Sequence, residues 1–450
     1  MSLLHTTFYI TFRRACTAFP FPVLLSIMLN IALNTASSLA QTPTPAPPQS
    51  KPIYLVGATV HVGNGTVLEN AVVGFDKGKL TLVGTANTAF DKTNADVFDV
   101  KGKHIYPGFF APNTTLGLVE IEAVRSTRDA EEVGGINPHV RSLIAYNAAS
   151  QITPTVRFNG VLTALVAPQG GLVSGRSSLV ELDGWNWEDA VIKSDLGIHV
   201  NFPDATRTTT DTDLKTRDEG IAKQLTALVQ FFREAQAYAK AASAGTPKEK
   251  NLRFEAMRGL FDGSKKLFIR ADEAKTILAA VNFAKDFGLT PVIVGGADAY
   301  LLTDILKANN IPVMIEKTHS LPSRSGEDVD QPYKLPAQLV KAGVLTCLST
   351  IGGWQQRNIG FEAGTAAAYG LSKEEALMLI TANTAKILGV SDRLGTLELG
   401  KDATLFVSEG DALDMRGNNV EHAFIRGRKL QLVNKQKFLY EQYKAKYGQK

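Results

Sequence analysis

Tyr106-Pro-Gly-Phe-Phe-Ala-Pro-Asn-Thr-Thr115 is the stretch whose reading decides the fold. A Pro-Gly turn feeds a short apolar run that has the character of a buried strand, and the run ends on polar residues, Asn113 and Thr115. Downstream, strand and helix patterns alternate. Lys266-Leu-Phe-Ile-Arg270 precedes a helical pattern with Ile277, Leu278, Val281 and Ala284 on one face. Pro291-Val-Ile-Val-Gly295, Ile311-Pro-Val-Met-Ile-Glu316 and Val344-Leu-Thr-Cys-Leu348 continue the alternation, which is that of a parallel α/β barrel. Ser372-Lys-Glu-Glu375 has the pattern of a capping box opening a late helix. Between Leu116 and Gly263 the pattern is less regular. There Val161–Val166 reads as a buried strand ending at Pro168-Gln-Gly-Gly171, Thr206–Asp213 as an exposed polar loop, and Arg217–Ala242 as a helix.

Both flanks of this middle are β-rich. Ile53 to about Phe98 and Gly395 to Leu432 show short strands separated by turn residues, which suggests one small sheet domain assembled from both ends of the chain. The expected class is therefore α/β, a distorted (β/α)8 TIM barrel at 107–391 with a β-sandwich built from 52–106 and 392–434, followed by a tail at 435–450.

The first forty residues read as a signal peptide. Arg13 and Arg14 form a positive region, Phe19–Leu33 is apolar, and Ser38-Leu-Ala40 supplies small residues for cleavage. The apolar run is shorter than the roughly 20 residues a membrane span needs and is broken by prolines, so no stable span is expected after cleavage. Export to a periplasm or the medium follows. Cleavage removes Cys16 and leaves Cys347 alone, so no internal disulfide can form. It also lowers the formal charge of +4 by the two arginines, to +2, a balance unlike that of a nucleic-acid binder. Residues 41–51, with Pro43, Pro45, Pro47 and Pro48, read as an extended linker.

Three C-terminal motifs, Leu371-Ser-Lys-Glu-Glu-Ala-Leu377, Thr381-Ala-Asn-Thr-Ala-Lys-Ile-Leu-Gly389 and Gly395-Thr-Leu-Glu-Leu-Gly-Lys-Asp-Ala403, together with the Pro-Gly turn, resemble the imidazolonepropionase-like group of the amidohydrolase superfamily. The resemblance implies metal-dependent hydrolysis of non-peptide C–N bonds in cyclic amides and related small molecules, with zinc or another divalent metal held at strand ends. Carried over by register, the His-x-His positions fall on Asn113 and Thr115, and the strand 5 histidine on Arg270. The strand 6 histidine falls on Gly295 and the strand 8 aspartate near Thr350. None of these is a competent transition-metal ligand.

Two readings follow. The first is a non-catalytic, exported homologue without a cofactor that binds a small molecule, an anionic one if Arg270 faces the pocket, or that pairs with a catalytic paralogue or with itself. The second is a C–N hydrolase with a rebuilt site using His319, which follows strand 7, and the strand-end carboxylates Asp272, Glu273, Asp298 and Glu316. Trp185 and Trp187 alternate as either core or a binding platform.

Overall fold

The computed structural model describes residues 45–204, 214–245, 249–322 and 324–449. The expected leader, residues 41–44 of the expected linker and the whole of the polar loop at Thr206–Asp213 lie outside the described residues.

Five strands open the chain: β1 (Ile53–His61), β2 (Val67–Asp76), β3 (Lys79–Thr85), β4 (Asp96–Asp99) and β5 (His104–Pro107). Eight follow in the middle: β6 (Phe109–Thr114), β7 (Val161–Val166), β8 (Val173–Glu181), β9 (Val191–Asn201), β10 (Lys266–Ala271), β11 (Pro291–Gly295), β12 (Val313–Glu316) and β13 (Thr346–Ser349). Three more, β14 (Leu405–Ser408), β15 (Val420–Ile425) and β16 (Arg428–Lys429), return to the first group.

The terminal strands share one sheet in the order β16-β15-β14-β5-β1-β2-β3, with β4 beside β1. Alternate residues Leu55, Val73, Phe75, Ile105, Leu405 and Phe424 face a common core. Phe75 and Phe424 lie on strands far apart in the sheet order, yet their rings are 5.0 Å apart, edge to face. The sheet therefore curls until its two sides meet across the core.

The middle strands form the second sheet in chain order, β6 to β13. It nearly closes: Thr114 at the end of β6 donates to the carbonyl of Gly352, just past β13, at 3.0 Å. All neighbouring pairs are parallel except those of β8, which runs antiparallel to both β7 and β9. The connection from β7 to β8 explains this distortion. It is far too short for a crossover helix, so the chain must reverse as a hairpin. Gly170 and Gly171, at φ +79° and +62°, allow that reversal. The irregularity in the sequence pattern here reflects a strand replacing a helix.

Helices Leu214–Ser243, Ala274–Asp286, Gln331–Ala342, Ile359–Ala368 and Lys373–Ile380 are among those between and after the later strands. Ser372 opens the last of these with a complete capping box to Glu375.

Both ends of the described chain carry local structure. From Pro45 the expected free linker is docked: Ala46 is buried and its N–H donates to Asp183 at 3.1 Å. Gln49 bridges the carbonyl of Phe75 and the N–H of Gly78, both at 2.9 Å. The flanking prolines have no N–H of their own, so the Ala46 N–H is the backbone donor that needs a partner here, and buried Asp183 supplies it. The expected tail is a helix, Lys435–Lys446, capped by Asn434, with no buried residue.

A buried ion network fastens the β domain to the barrel. Glu181 and Asp183, at and just beyond the end of β8, take Arg426 and Arg428 from the β15–β16 turn and Arg157 from beneath. On the other side of the seam, His61 of β1 lies 2.7 Å from Glu374 and 3.0 Å from His104.

Candidate functional site at the barrel mouth

The C-terminal ends of the parallel strands open into a cavity of about 410 Å³. Barrel enzymes keep their chemistry at this end. Asn113 comes from β6, His199 and Asn201 from β9, Arg270 from β10 and Glu316 from β12. Two further cavities adjoin it. One of about 380 Å³ holds Thr115, Arg125 and Arg128, and one of about 550 Å³ holds Gly295, Asp272 and Asp298. Ile351 lines all three, so the mouth is one open region divided by its side chain.

At the centre is an ion pair. Nη1 of Arg270 donates to Oε1 of Glu316 at 3.0 Å, and Nη2 pairs with Oε2, the two-pronged geometry a guanidinium favours with a carboxylate. The Glu316 side chain is only 7% exposed. Asn113 adds a weaker contact from its amide to Glu316, at 3.4 Å. Asn113 stands at φ +54°, in a bulge where β6 spends one residue more than β7 between Ala111 and Thr114. The bulge turns this side chain towards the strands opposite, and asparagine tolerates the left-handed backbone it requires.

His199 is the second notable group. Parallel register pairs it with Phe268, and Asn201 with Arg270, so all four lie on one side of the sheet. The His199 ring stacks on Phe268 at 4.6 Å, and its Nε2 is buried with no hydrogen-bond partner among the described residues. Burial, reinforced by the Arg270 charge, pushes its pKa down to about 3. It is a neutral imidazole at physiological pH. Asn201 fixes the cavity's rim by donating to the carbonyl of Gly171 at 2.8 Å.

Of the residues singled out in the sequence, Asn113 and Arg270 line the central cavity, Thr115 and Gly295 line the flanking ones, and two lie elsewhere. Thr350 is buried, with its carbonyl accepting from Gln356 at 2.7 Å. His319 is exposed, and its Nε2 lies 2.7 Å from the Thr365 hydroxyl on the helix Ile359–Ala368. It lines none of the three cavities of the mouth. Asp298 is buried and clamped by Arg324 at 2.7 and 2.6 Å, and it also accepts from the Ala274 N–H, at the start of a helix. Sequence reasoning missed His199 altogether and gave Glu316 no partner. Strand alternation from Arg270 through its neighbour could have found the first; only the closed barrel reveals the second.

These residues do not fit the divalent metal that the resemblance implies. Among the described residues there is no group of three or more His, Cys, Asp or Glu side chains placed to hold an ion. The one carboxylate at the centre is already engaged by a permanent cation. Gly295 offers no ligand and has no room for one: at φ +97°, a Cβ there would sit 2.2 Å from Oδ1 of Asp272.

The comparisons with known proteins agree with this architecture. The model of the amidohydrolase family matches residues 338–430. The amidohydrolase from Thermotoga maritima MSB8 superposes with a TM-score of 0.72 at 26% identity, covering 84% of this chain and 99% of that one. A molinate hydrolase (TM-score 0.53, 15% identity, 85% and 95% covered) and a zinc-bound adenosine deaminase from Xanthomonas campestris (0.51, 14%, 89% and 99%) share the fold. In sequence, amidohydrolase tasK of Hapsidospora irregularis is 32% identical over 118 residues, a stretch that is 23% of this chain and 12% of that protein. The barrel sheet, the β domain drawn from both ends and the match of residues 338–430 to the family model together support the amidohydrolase superfamily for this chain.

Proposed function

We propose that this protein is an exported member of the superfamily that binds a small polar molecule at the barrel mouth without metal-dependent hydrolysis. The observation that carries the reading is the two-pronged Arg270–Glu316 pair at the strand ends where the resemblance puts a metal. Without a bound cation of that kind, nothing at the site lowers the pKa of water from about 15.7 towards 7 or polarises an amide carbonyl. What remains suits recognition. Asn113, Gln169 and Ser174 offer neutral donors and acceptors, and Phe268 and Ile351 offer apolar surface.

The expected anionic ligand is revised on the same ground. Arg270 is not a lone cation, because an incoming carboxylate would have to displace Glu316. An uncharged polar ligand costs no such exchange. The rebuilt-hydrolase reading needs a base other than His319, which follows β12 and hydrogen-bonds Thr365 of the helix Ile359–Ala368 rather than lining the central cavity.

Thermal-shift and calorimetric titration with hydantoin, dihydrouracil and glycyl-proline, with and without Zn²⁺, Mn²⁺ or Co²⁺, tests this reading. Saturable binding of at least one uncharged ring amide is expected, independent of metal and without product. Metal-stimulated hydrolysis would establish the alternative.

A further inference from the structure

A cleft larger than any of the three at the barrel mouth lies at the seam between barrel and β domain. It measures about 860 Å³ and is lined by Trp185, Lys77, Lys79, Arg393, Arg426 and Arg428, among others. We propose that this cleft is a second ligand site, built for an anionic group carried on a ring that lies against an indole.

Three features carry the inference. The first is the indole. Trp185 and Trp187 alternate in sequence, but their environments differ: Trp187 packs against the barrel core, whereas Trp185 is 70% exposed. A single exposed apolar residue would need no explanation. Here, however, the indole faces a concave wall of five cations, an arrangement in which stacking and charge recognition act together.

The second is the distribution of charge by depth. The carboxylates that balance these cations lie underneath. Asp402 takes Lys79 at 2.6 Å and Arg393 at 3.0 Å, while Glu181 takes Arg426 at 2.6 Å and also Arg428. Asp183 accepts from Arg428 as well. All three acids are buried, while the Lys79, Arg393 and Arg426 side chains stay substantially exposed. Lys77 is exposed, and its ammonium has no partner among the described residues. Of the acids in the lining only Asp189 is exposed, so the surface a ligand meets is predominantly positive.

The third is rigidity. The walls are tight turns locked together rather than loose loops. Gln49 reaches the turn between β2 and β3, and a Cβ at Gly427 would lie 2.2 Å from its Oε1. A Cβ at Gly78 would lie 2.9 Å from the Arg426 carbonyl. Guanidinium groups held this way lose little freedom when they bind an anion. A phosphate or carboxylate would be taken by Arg426, Lys77 and Lys79, and the attached ring would lie on Trp185.

The test uses the intact protein and isothermal titration with four probes at low salt: AMP, glucuronate, inorganic phosphate and glucose. At least one ring-bearing anion is expected to bind saturably and at least tenfold more tightly than either phosphate or glucose. Preference for AMP identifies a phosphorylated ligand, and preference for glucuronate a carboxylated one. Trp185→Ala and Lys77→Glu should each weaken binding about tenfold or more with unchanged circular dichroism and thermal midpoint, since both side chains are exposed. The proposal is overturned if neither ring anion binds, if phosphate alone binds as tightly, or if binding survives both substitutions.

Discussion

Arg270→Ala is expected to destabilise the protein by about 3–5 kcal/mol, the usual consequence of stranding a buried charge after its partner is removed. Glu316 is the stranded group. Its side chain is almost wholly buried, and the Asn113 amide at 3.4 Å is too distant to replace a guanidinium. The double variant Arg270→Met/Glu316→Leu should recover most of that loss, because buried ion pairs commonly tolerate exchange for packed apolar side chains. Urea denaturation of the wild type, both single variants and the double variant gives the coupling directly. A loss below about 1 kcal/mol for Arg270→Ala would mean that the pair behaves like a solvated surface bridge.

The second large effect concerns pH and His199. Its pKa in the folded protein is about 3, against an unfolded value near 6.5. The native state therefore binds fewer protons than the unfolded state between these values. The neutral imidazole costs nothing above about pH 6.5, and stability is lost progressively as pH falls from there towards 3. At pH 4.5 the loss relative to pH 7 should be roughly 2–3 kcal/mol from this residue. Other buried groups act in the opposite sense: burial raises the carboxyl pKa values of Glu181, Asp183 and Glu362, which favours the folded state on acidification. The difference between wild type and His199→Gln isolates the imidazole. Stability measured by urea denaturation from pH 7 to 4 should fall less steeply in the variant, by up to one proton's worth of slope. Equal slopes would show that His199 is accessible to protons in the folded state.

The pieces of this account that a sequence discloses are those governed by local rules. The strand from Phe109, the alternation from Lys266 onward, and the capping box at Ser372 all depend on residues near one another in the chain, and each is present in the structure. The β domain drawn from both ends was also legible, because β1 and β14 carry their own strand and turn signals. What could not be read depends on closure. Glu316 is 46 residues from Arg270, on a strand two places away, and their meeting follows from barrel curvature rather than from spacing. His199 sits between Ile198 and Val200 and looks like an ordinary core position until register places it beside Phe268. The hairpin at Gly170-Gly171 showed in sequence only as the end of a strand, since a strand that replaces a helix leaves no period of its own to detect. Asn113 and Arg270 lie near the ends of β6 and β10. Register could not say that His319 would turn to Thr365, because loop direction after β12 is set by the helix Ile359–Ala368.

The claim at the centre is that an internal guanidinium stands where the superfamily's metal would be. Metal content of the purified protein, by plasma mass spectrometry after exposure to Zn²⁺ and Mn²⁺ and removal of the unbound ions, tests it most directly. Well under 0.1 equivalent per chain is expected, with Arg270→Ala no longer blocking Glu316 and the only variant in which retention could rise. About one equivalent held by the wild-type protein would contradict the account.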